Sequence, residues 1–320
     1  MHVLITGAAG FVGAALVQRL QTQPGLLPGA TPLQLTLVDR SGGHDCDVAG
    51  VTWHTGSFAD PALMQRLKEQ PPQYIFHLAS MPGALAERQP TAGVQANLLD
   101  VIQLLEGLTL AVREGRGAAP RLVFASSVAV YGAVGPDAVQ EDQLPQPGLS
   151  YGTHKWMTEL LLADYSRRGE LDACSLRLPG VVARPPAESG HGSAFMSQIF
   201  HSVRSGVPYE CPVAPDATAW WMSLDRCLDN LLHAALLGAD RMPLSRTWQL
   251  PVLQARVGEV VDTLSRQLNR PSPVRYAPDA RIQALFGQQP ALHTPRAQAA
   301  GFAHDGTVDA LVERVLRSLP

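Results

Sequence analysis

Cysteine is scarce in this chain, and the four present, Cys46, Cys174, Cys211 and Cys227, form no C-x-x-C pair and no metal-ligand spacing. This excludes a zinc module or a disulfide scaffold, and the thiols are expected to be reduced. A surplus of one charge is lacking too. The 25 Lys and Arg stand against 28 Asp and Glu, a net of −3, with the arginines scattered, so no nucleic acid or other polyanion is expected as a partner. No apolar run reaches the ~18 residues of a membrane span, so no membrane partner is expected either. No internal repeat or low-complexity linker is visible. The amino end runs Met1-His2-Val3-Leu4-Ile5-Thr6 with neither a basic n-region nor a cleavage site. A soluble cytoplasmic protein without a metal is the expectation.

What the chain does have is a hydrophobic share of 46% over 320 residues, enough for one large domain or two smaller ones. Its opening apolar run ends in Gly7-Ala8-Ala9-Gly10-Phe11-Val12-Gly13, and Val12, Leu16 and Leu20 then recur at helical spacing. Strand, glycine turn and helix together make a dinucleotide-binding start. The turn brings backbone N–H groups and a helix N-terminus against a pyrophosphate. Here the spacing is G-x-x-G-x-x-G: Gly7 permits the turn, Gly10 allows close approach and Gly13 lets the helix pack on the sheet. A second strand ends at Asp39, whose carboxylate suits the adenosine ribose hydroxyls and repels a 2′-phosphate, so NAD is favoured over NADP. Arg40 beside it is the group that would accommodate that phosphate.

Further strands are expected at 51–55, 74–80, 121–128 and 173–178, separated by helices, which reads as α/β with a doubly wound parallel sheet. His77 lies inside one strand and is expected to be a packed residue. A single long helix is expected over 91–113. The strand at 121–128 ends in Ser126 and Ser127, and in a parallel sheet that end faces the ligand crevice. Tyr151 and Lys155 then stand four residues apart on a helix continued by Trp156, Met157, Leu160 and Leu161. One turn apart on one face, the ammonium is expected to lower the phenol pKa from ~10 and make the tyrosine a general base.

Taken in order, Gly7-x-x-Gly10-x-x-Gly13, Asp39, His77-Leu78-Ala79, Asn97, Ser126-Ser127-x-x-Val130-Tyr131-Gly132, Tyr151-x-x-x-Lys155 and Leu176-Arg177-Leu178-Pro179 resemble the extended short-chain dehydrogenase/reductases, the NAD-dependent epimerase/dehydratase family. The resemblance is close over the first 180 residues or so and looser beyond. It implies a Rossmann domain over 1–181, completed by part of 218–252, and a smaller α/β substrate lobe over 182–320. It implies NAD as cofactor and Ser127, Tyr151 and Lys155 as the catalytic set. Asn97 would hold the sheet and the active-site geometry, and Ser126 would line the nicotinamide site. The cofactor contacts it implies add Phe11, Val12, Ser57, Phe58, Leu78, Ala79, Ser80, Asn97, Tyr151, Lys155, Pro179, Val181 and Val182 to the glycines, Asp39 and Arg40. Substrate contacts would come from Ser80, Ser126, Ser127, Arg184 and Ser193.

Within that family the region from Tyr165 through Arg177 and Arg184 to Phe195 is similar to dehydrogenases of small sugar acids of the D-erythronate type. Three departures stand out: Met81-Pro82-Gly83-Ala84-Leu85 after the fourth strand, the composition of 186–192, and Ser57 where the wider family carries an aspartate at the adenine. Dehydration is disfavoured because Val128-Ala129 supplies no acidic pair after the serine. Ala217, Thr218 and Ala219 stand where nucleotide-sugar epimerases carry a diphosphate-binding arginine, although Arg177, Arg184 or Arg226 could meet an anionic group. The leading expectation is therefore NAD-dependent oxidation of a sugar-acid hydroxyl. A nucleotide-sugar epimerase and a non-catalytic dinucleotide sensor are the alternatives. The helix over 91–113 and the helix beginning at Tyr151 carry more apolar residues than one buried stripe needs, and a homodimer through both is expected, with Val101 and Leu105 as candidate interface positions.

Overall fold

The computed structural model describes residues 1–29, 32–42, 49–186 and 192–319. Cys46 and residues 187–191, most of the 186–192 segment singled out above, lie outside the described residues. The first part of the chain alternates strand and helix: β1 (His2–Thr6), α1 (Phe11–Thr22), β2 (Gln34–Asp39), β3 (Val51–Thr55), α2 (Pro61–Glu69), β4 (Tyr74–His77), α3 (Gly83–Arg88), α4 (Pro90–Val94), α5 (Asp100–Arg113), β5 (Arg121–Ser127), β6 (Val139–Gln140), α6 (Ser150–Arg167) and β7 (Asp172–Leu178). Local chemistry starts these elements where the sequence requires. Asp60, for instance, accepts from the Ala62 N–H at the head of α2, while Pro61 fills a first position whose N–H would be orphaned anyway.

The second part is β8 (Gly180–Val182), α7 (Phe195–Ser205), β9 (Tyr209–Cys211), β10 (Thr218–Ser223), α8 (Leu224–Leu236), β11 (Thr247–Gln249), β12 (Leu253–Arg256), α9 (Val257–Leu268), β13 (Val274–Tyr276), α10 (Ala280–Phe286), β14 (Leu292–His293), α11 (Pro295–Ala299) and α12 (Val308–Ser318). Among the described residues, no helix is long and apolar enough to cross a membrane.

Seven strands form one sheet in the order β11-β7-β5-β4-β1-β2-β3, with every neighbouring pair parallel. The order runs one way from β1 to β2 and β3 and the other way from β4 onward. The crevice at the carboxyl ends of β1 and β4 is therefore the switch point where a ligand binds in such sheets. One face is covered by α1 and α8, whose Leu16, Leu20, Leu228 and Leu231 are buried against Ile5, Phe76 and Cys174. The other is covered by α2, α5 and α6 through Leu63, Leu67, Leu104, Leu108 and Leu162. A separate core is built where β10 pairs with β8 and β12, roofed by α7, α9 and α12. Trp221 is a core residue there, whereas Trp220 packs on the opposite side with Val130, Tyr131, Val139 and Val252, and their indole N–H groups donate to the carbonyls of Ala255 and Pro290 respectively.

This packing refines one expectation and corrects another. The helix over 91–113 is present, running from Pro90 to Arg113, but its register changes at a π turn, Gln95–Leu99, between α4 and α5. Val101 and Leu105 do not offer themselves to a partner, being 2% and 1% exposed inside the sheet-facing core. The apolar residues left exposed on these helices are Val94, Leu99, Met157 and Leu160.

Candidate active site

The glycine turn carries its own reasons. Gly7 has φ +74°, and a Cβ there would lie 2.7 Å from the Ala79 nitrogen, so the turn passes directly under the loop that leaves β4. A Cβ at Gly13 would fall 2.0 Å from the Gly7 carbonyl oxygen, which lets α1 start flush against the turn. Gly10, the residue preceding α1, offers no side-chain acceptor, so the first-turn N–H groups, those of Phe11 and Val12 among them, are free to face an anion. Asp39 completes this cradle. Its Oδ2 accepts from the Ala9 N–H at 3.0 Å, and its Oδ1 accepts from the Ser41 N–H at 3.0 Å. A carboxylate fixed over the glycine turn at the end of β2 fits the ribose diol of a dinucleotide. These residues therefore fit NAD: the turn would hold a pyrophosphate and Asp39 the adenosine ribose.

Beyond the ribose the expected contacts divide. Arg40 is exposed and reaches back to Asp100, with Nη2 3.9 Å from Oδ2. The Ser57 hydroxyl accepts from the Ala59 N–H and donates to that same Asp100 Oδ2 at 3.4 Å. The Phe58 ring is buried edge-on against His77, with centroids 5.0 Å apart, so its side chain belongs to the core rather than to the cleft. His77 packs as the sequence suggests: Nδ1 meets the Thr6 hydroxyl at 2.7 Å, and burial, helped by the Lys155 charge, lowers its pKa to about 3.

Asn97 sits in the π turn, which swings it inward. Its Oδ1 accepts from the Met81 N–H at 2.7 Å and the Ser80 hydroxyl at 3.1 Å, and its Nδ2 donates to the Met81 carbonyl at 3.1 Å. It therefore clamps the loop after β4 rather than the sheet. The same loop walls Tyr151, since a Cβ at Gly83 would come within 3.5 Å of the Tyr151 Cβ. Ser80, expected in both the cofactor and the substrate sets, is thereby held beside the tyrosine.

Successive residues of β5 point to opposite faces, and this separates the two serines. Ser127 is half-buried at the crevice end and accepts from the Ala129 N–H at 3.1 Å. Ser126 is a correction: it is buried and its hydroxyl donates to Glu159, away from any position lining the nicotinamide or the substrate. Glu159 in turn takes Arg177 at 2.8 Å, and Arg177 donates to the Tyr131 hydroxyl at 2.9 Å. This buried network ties α6 to β5 and β7, and Glu159 is its hub. Its signal was available, because Tyr151, Lys155 and Glu159 recur every fourth residue on one helix face.

Lys155 lies beneath that face. Its Nζ donates to the Ala125 carbonyl at 2.7 Å, and sits 4.6 Å from the Phe124 ring centroid and 5.5 Å from that of Tyr151. Burial lowers its pKa to about 7 against the opposing pull of Glu159. The expectation that this lysine sets the phenol pKa is corrected. Burial raises the Tyr151 pKa above its ordinary value, and the forces that oppose the rise are the charge of Arg184 and hydrogen bonding with the Ser127 and Ser80 hydroxyls. The physical reason is placement, since the ammonium is anchored under the ring by Ala125 rather than aimed at the hydroxyl.

Three arginines were candidates for an anionic group, and the structure separates them. Arg177 is paired with Glu159, and Arg226 with Asp229 at 3.3 Å. Arg184 follows β8, its N–H donating to the Ser197 hydroxyl at 3.0 Å and its Nε to the Val181 carbonyl at 3.4 Å. Burial lowers its pKa, the one opposing influence being Tyr151, and no carboxylate among the described residues pairs with it. Val181 and Val182 are buried, Val182 within the second core, so β8 acts as the floor beneath Arg184. Pro179 links β7 to β8. Ser193 is half-buried just before α7, its carbonyl accepting from the Met196 N–H, and no hydrogen bond joins it to Tyr151 or Arg184 among the described residues. The structure thus gathers Ser80, Ser127, Tyr151, Lys155 and Arg184 at the crevice and leaves Ser126 and Ser193 apart.

Comparison with known proteins points the same way. Residues 3–224 match the family described as NAD dependent epimerase/dehydratase. The chain is 36% identical over 318 residues to a D-erythronate dehydrogenase of Cupriavidus necator, covering 98% of this chain and 97% of that one. It is 27% identical to a D-erythronate dehydrogenase of Haemophilus influenzae, covering 99% of both. A crystal structure of a nucleoside-diphosphate-sugar epimerase from Agrobacterium tumefaciens superposes with a TM-score of 0.90 at 30% identity, over 99% of this chain and 94% of that one.

Proposed function

Because the chain belongs to the NAD dependent epimerase/dehydratase family, we propose that it oxidises a hydroxyl of a small sugar acid of the D-erythronate kind, with NAD⁺ as the acceptor. Arg184 is the observation that carries this reading. A half-buried guanidinium with no carboxylate partner among the described residues, whose charge opposes the rise in the Tyr151 pKa, matches a substrate that brings its own carboxylate near the reacting hydroxyl. The two D-erythronate dehydrogenases, similar along almost the whole chain, support it.

Bound in the cradle of Gly7, Gly10, Gly13 and Asp39, NAD⁺ supplies the hydride acceptor. Tyr151 in its phenolate form takes the hydroxyl proton, so that the carbon–hydrogen bond can break with its electron pair and a carbonyl forms. Ser127 donates to the reacting oxygen and holds it against the phenol, and Ser80, held by Asn97, lines the site beside the phenol. Arg184 binds the carboxylate and fixes which hydroxyl is presented. Lys155 holds α6 against β5 by donating to the Ala125 carbonyl beneath the ring. Burial of the phenol makes its proton harder to lose, and Arg184 with the two serines offsets this. The sheet from β1 to β7, with β11, serves the cofactor, and the core around β8, β10 and β12 serves the substrate.

The test is an NAD⁺-reduction screen over four- to six-carbon sugar acids, with UDP-sugars as the contrasting set. Reduction with an acid and none with a UDP-sugar is expected. Interconversion of a UDP-sugar without net NADH would favour the second reading, an epimerase, which the similarity to the Agrobacterium protein supports. Ala217 and Ala219 are themselves buried, which speaks against a diphosphate there. We further read the exposed apolar residues of α4, the π turn and α6 as the face by which two copies pair.

A further inference from the structure

We propose that Asp100 is the residue that reads adenine, accepting a hydrogen bond from its 6-amino group. The argument starts from strand order. The pyrophosphate cradle follows β1, the ribose carboxylate Asp39 ends β2, and the next strand outward is β3. A nucleotide laid along this line places its base over the residues that follow β3, which are Gly56, Ser57 and Phe58. No charged side chain comes from that loop position, because residue 57 is serine and Phe58 turns into the core.

A carboxylate arrives instead from α5. Asp100 is its first residue, directly after the π turn, and is 7% exposed. Its Oδ1 accepts from Gln95 Nε2 at 2.7 Å, which fixes the plane of the carboxylate. Its Oδ2 meets the Ser57 hydroxyl at 3.4 Å and Arg40 Nη2 at 3.9 Å, both long for a charge-assisted bond. Oδ2 therefore retains acceptor capacity at the place where the base must lie, and a carboxylate that is nearly buried but incompletely paired is a group awaiting a donor. Arg40 and Ser57 aim it without saturating it.

Polarity at position 6 of the purine makes the proposal specific. Adenine carries an amino donor there, and hypoxanthine, otherwise the same shape, carries a carbonyl acceptor that a carboxylate repels. Hydrogen bonds to charged groups differ from their absence by roughly tenfold or more in affinity. The inference rests on the cofactor and not on the sugar-acid reading, so it is tested without any substrate.

Titration calorimetry of the full chain with NAD⁺ and with nicotinamide hypoxanthine dinucleotide measures it. The unmodified protein is expected to bind NAD⁺ at least about tenfold more tightly than the hypoxanthine analogue. Asp100→Asn, whose amide can turn to accept or donate, is expected to bring the two affinities within about threefold of each other, mainly by weakening NAD⁺. Equal affinities in the unmodified protein would overturn the proposal whether or not the variant folds. So would an Asp100→Asn that weakens both dinucleotides in parallel, since Asp100 would then be holding Gln95 and Arg40 alone.

Discussion

Arg184, not Lys155, is the cation whose charge acts on the Tyr151 hydroxyl. The lysine sits one helical turn away but points its ammonium at the Ala125 carbonyl and at the faces of two rings. Removing Arg184 should therefore act on acid–base behaviour as well as on binding. In Arg184→Gln the alkaline rise of kcat/KM is expected at higher pH than in the unmodified enzyme, because nothing then opposes the raising of the phenol pKa by burial except the two serines. KM for the sugar acid should rise about tenfold or more as the carboxylate loses its partner. A pH–rate profile that does not move, with KM unchanged, would show that Arg184 meets neither phenol nor substrate.

Tyr151→Phe is expected to lower turnover by ~10²-fold or more while NAD⁺ still binds, because the ring remains and only the proton-accepting oxygen is lost. Calorimetry for the cofactor and initial rates for the substrate separate the two effects. A variant keeping a third or more of the rate would remove Tyr151 from the proton transfer.

Lys155 also makes a prediction about stability. Its pKa is about 7 in the folded chain against an ordinary value of 10.5, so between those values the unfolded chain binds the extra proton. Stability then rises with pH across this window, is fully gained above the unfolded value, and is lost as pH falls toward about 7. Lys155→Met should flatten that slope, by an amount on the order of a few kcal/mol between its ends. Urea melts of the cofactor-free protein and the variant at neutral and at alkaline pH measure the difference. A slope shared by both proteins would assign it to other groups.

What was legible in the chain and what was not follows from distance along it. The glycine turn, the Tyr151–Lys155 spacing and the strand ends at Asp39 and Ser127 are local patterns, set by backbone sterics and periodicity. Ser126 could not be told from Ser127 in this way, since alternation says that they face apart but not which one faces the crevice. The Arg184–Tyr151 and Asp100–Ser57 relations join segments far apart in sequence through the sheet, and no periodicity announces them. The π turn was hidden because its residues, Gln95–Leu99, are as helix-compatible as their neighbours. It is the one place where the register of the helix changes to bring Asn97 onto the loop of Ser80 and Met81.

Cofactor choice should follow Asp39. NAD is expected to bind more tightly than NADP, because the Asp39 carboxylate sits where a 2′-phosphate would come. Asp39→Ala should narrow the gap only in part, since Arg40 leans toward Asp100. Adding Asp100→Asn frees Arg40 and should narrow it further. Calorimetry that finds the two cofactors equal in the unmodified protein would refute this order.

Quaternary structure is testable by a contrast between positions that the sequence alone could not distinguish. Leu160 on α6 is 59% exposed, and Val94, Leu99 and Met157 are exposed with it, whereas Val101 and Leu105 are inside the core. If two copies pair through α4, the π turn and α6, Leu160→Asp buries a charge only in the dimer, and the expected product is a folded monomer. Val101→Asp instead buries a charge in every copy and should cost more than ~3 kcal/mol, lowering the melting temperature or preventing folding altogether. Since α6 carries Tyr151 and Lys155 and the π turn carries Asn97, loss of the partner should also loosen the crevice, and the Leu160→Asp monomer should be less active. Light scattering with initial rates decides it: an unmodified protein that is already monomeric at micromolar concentration and active, or a Leu160→Asp variant that stays dimeric, would place the exposed apolar face outside any pairing of two copies.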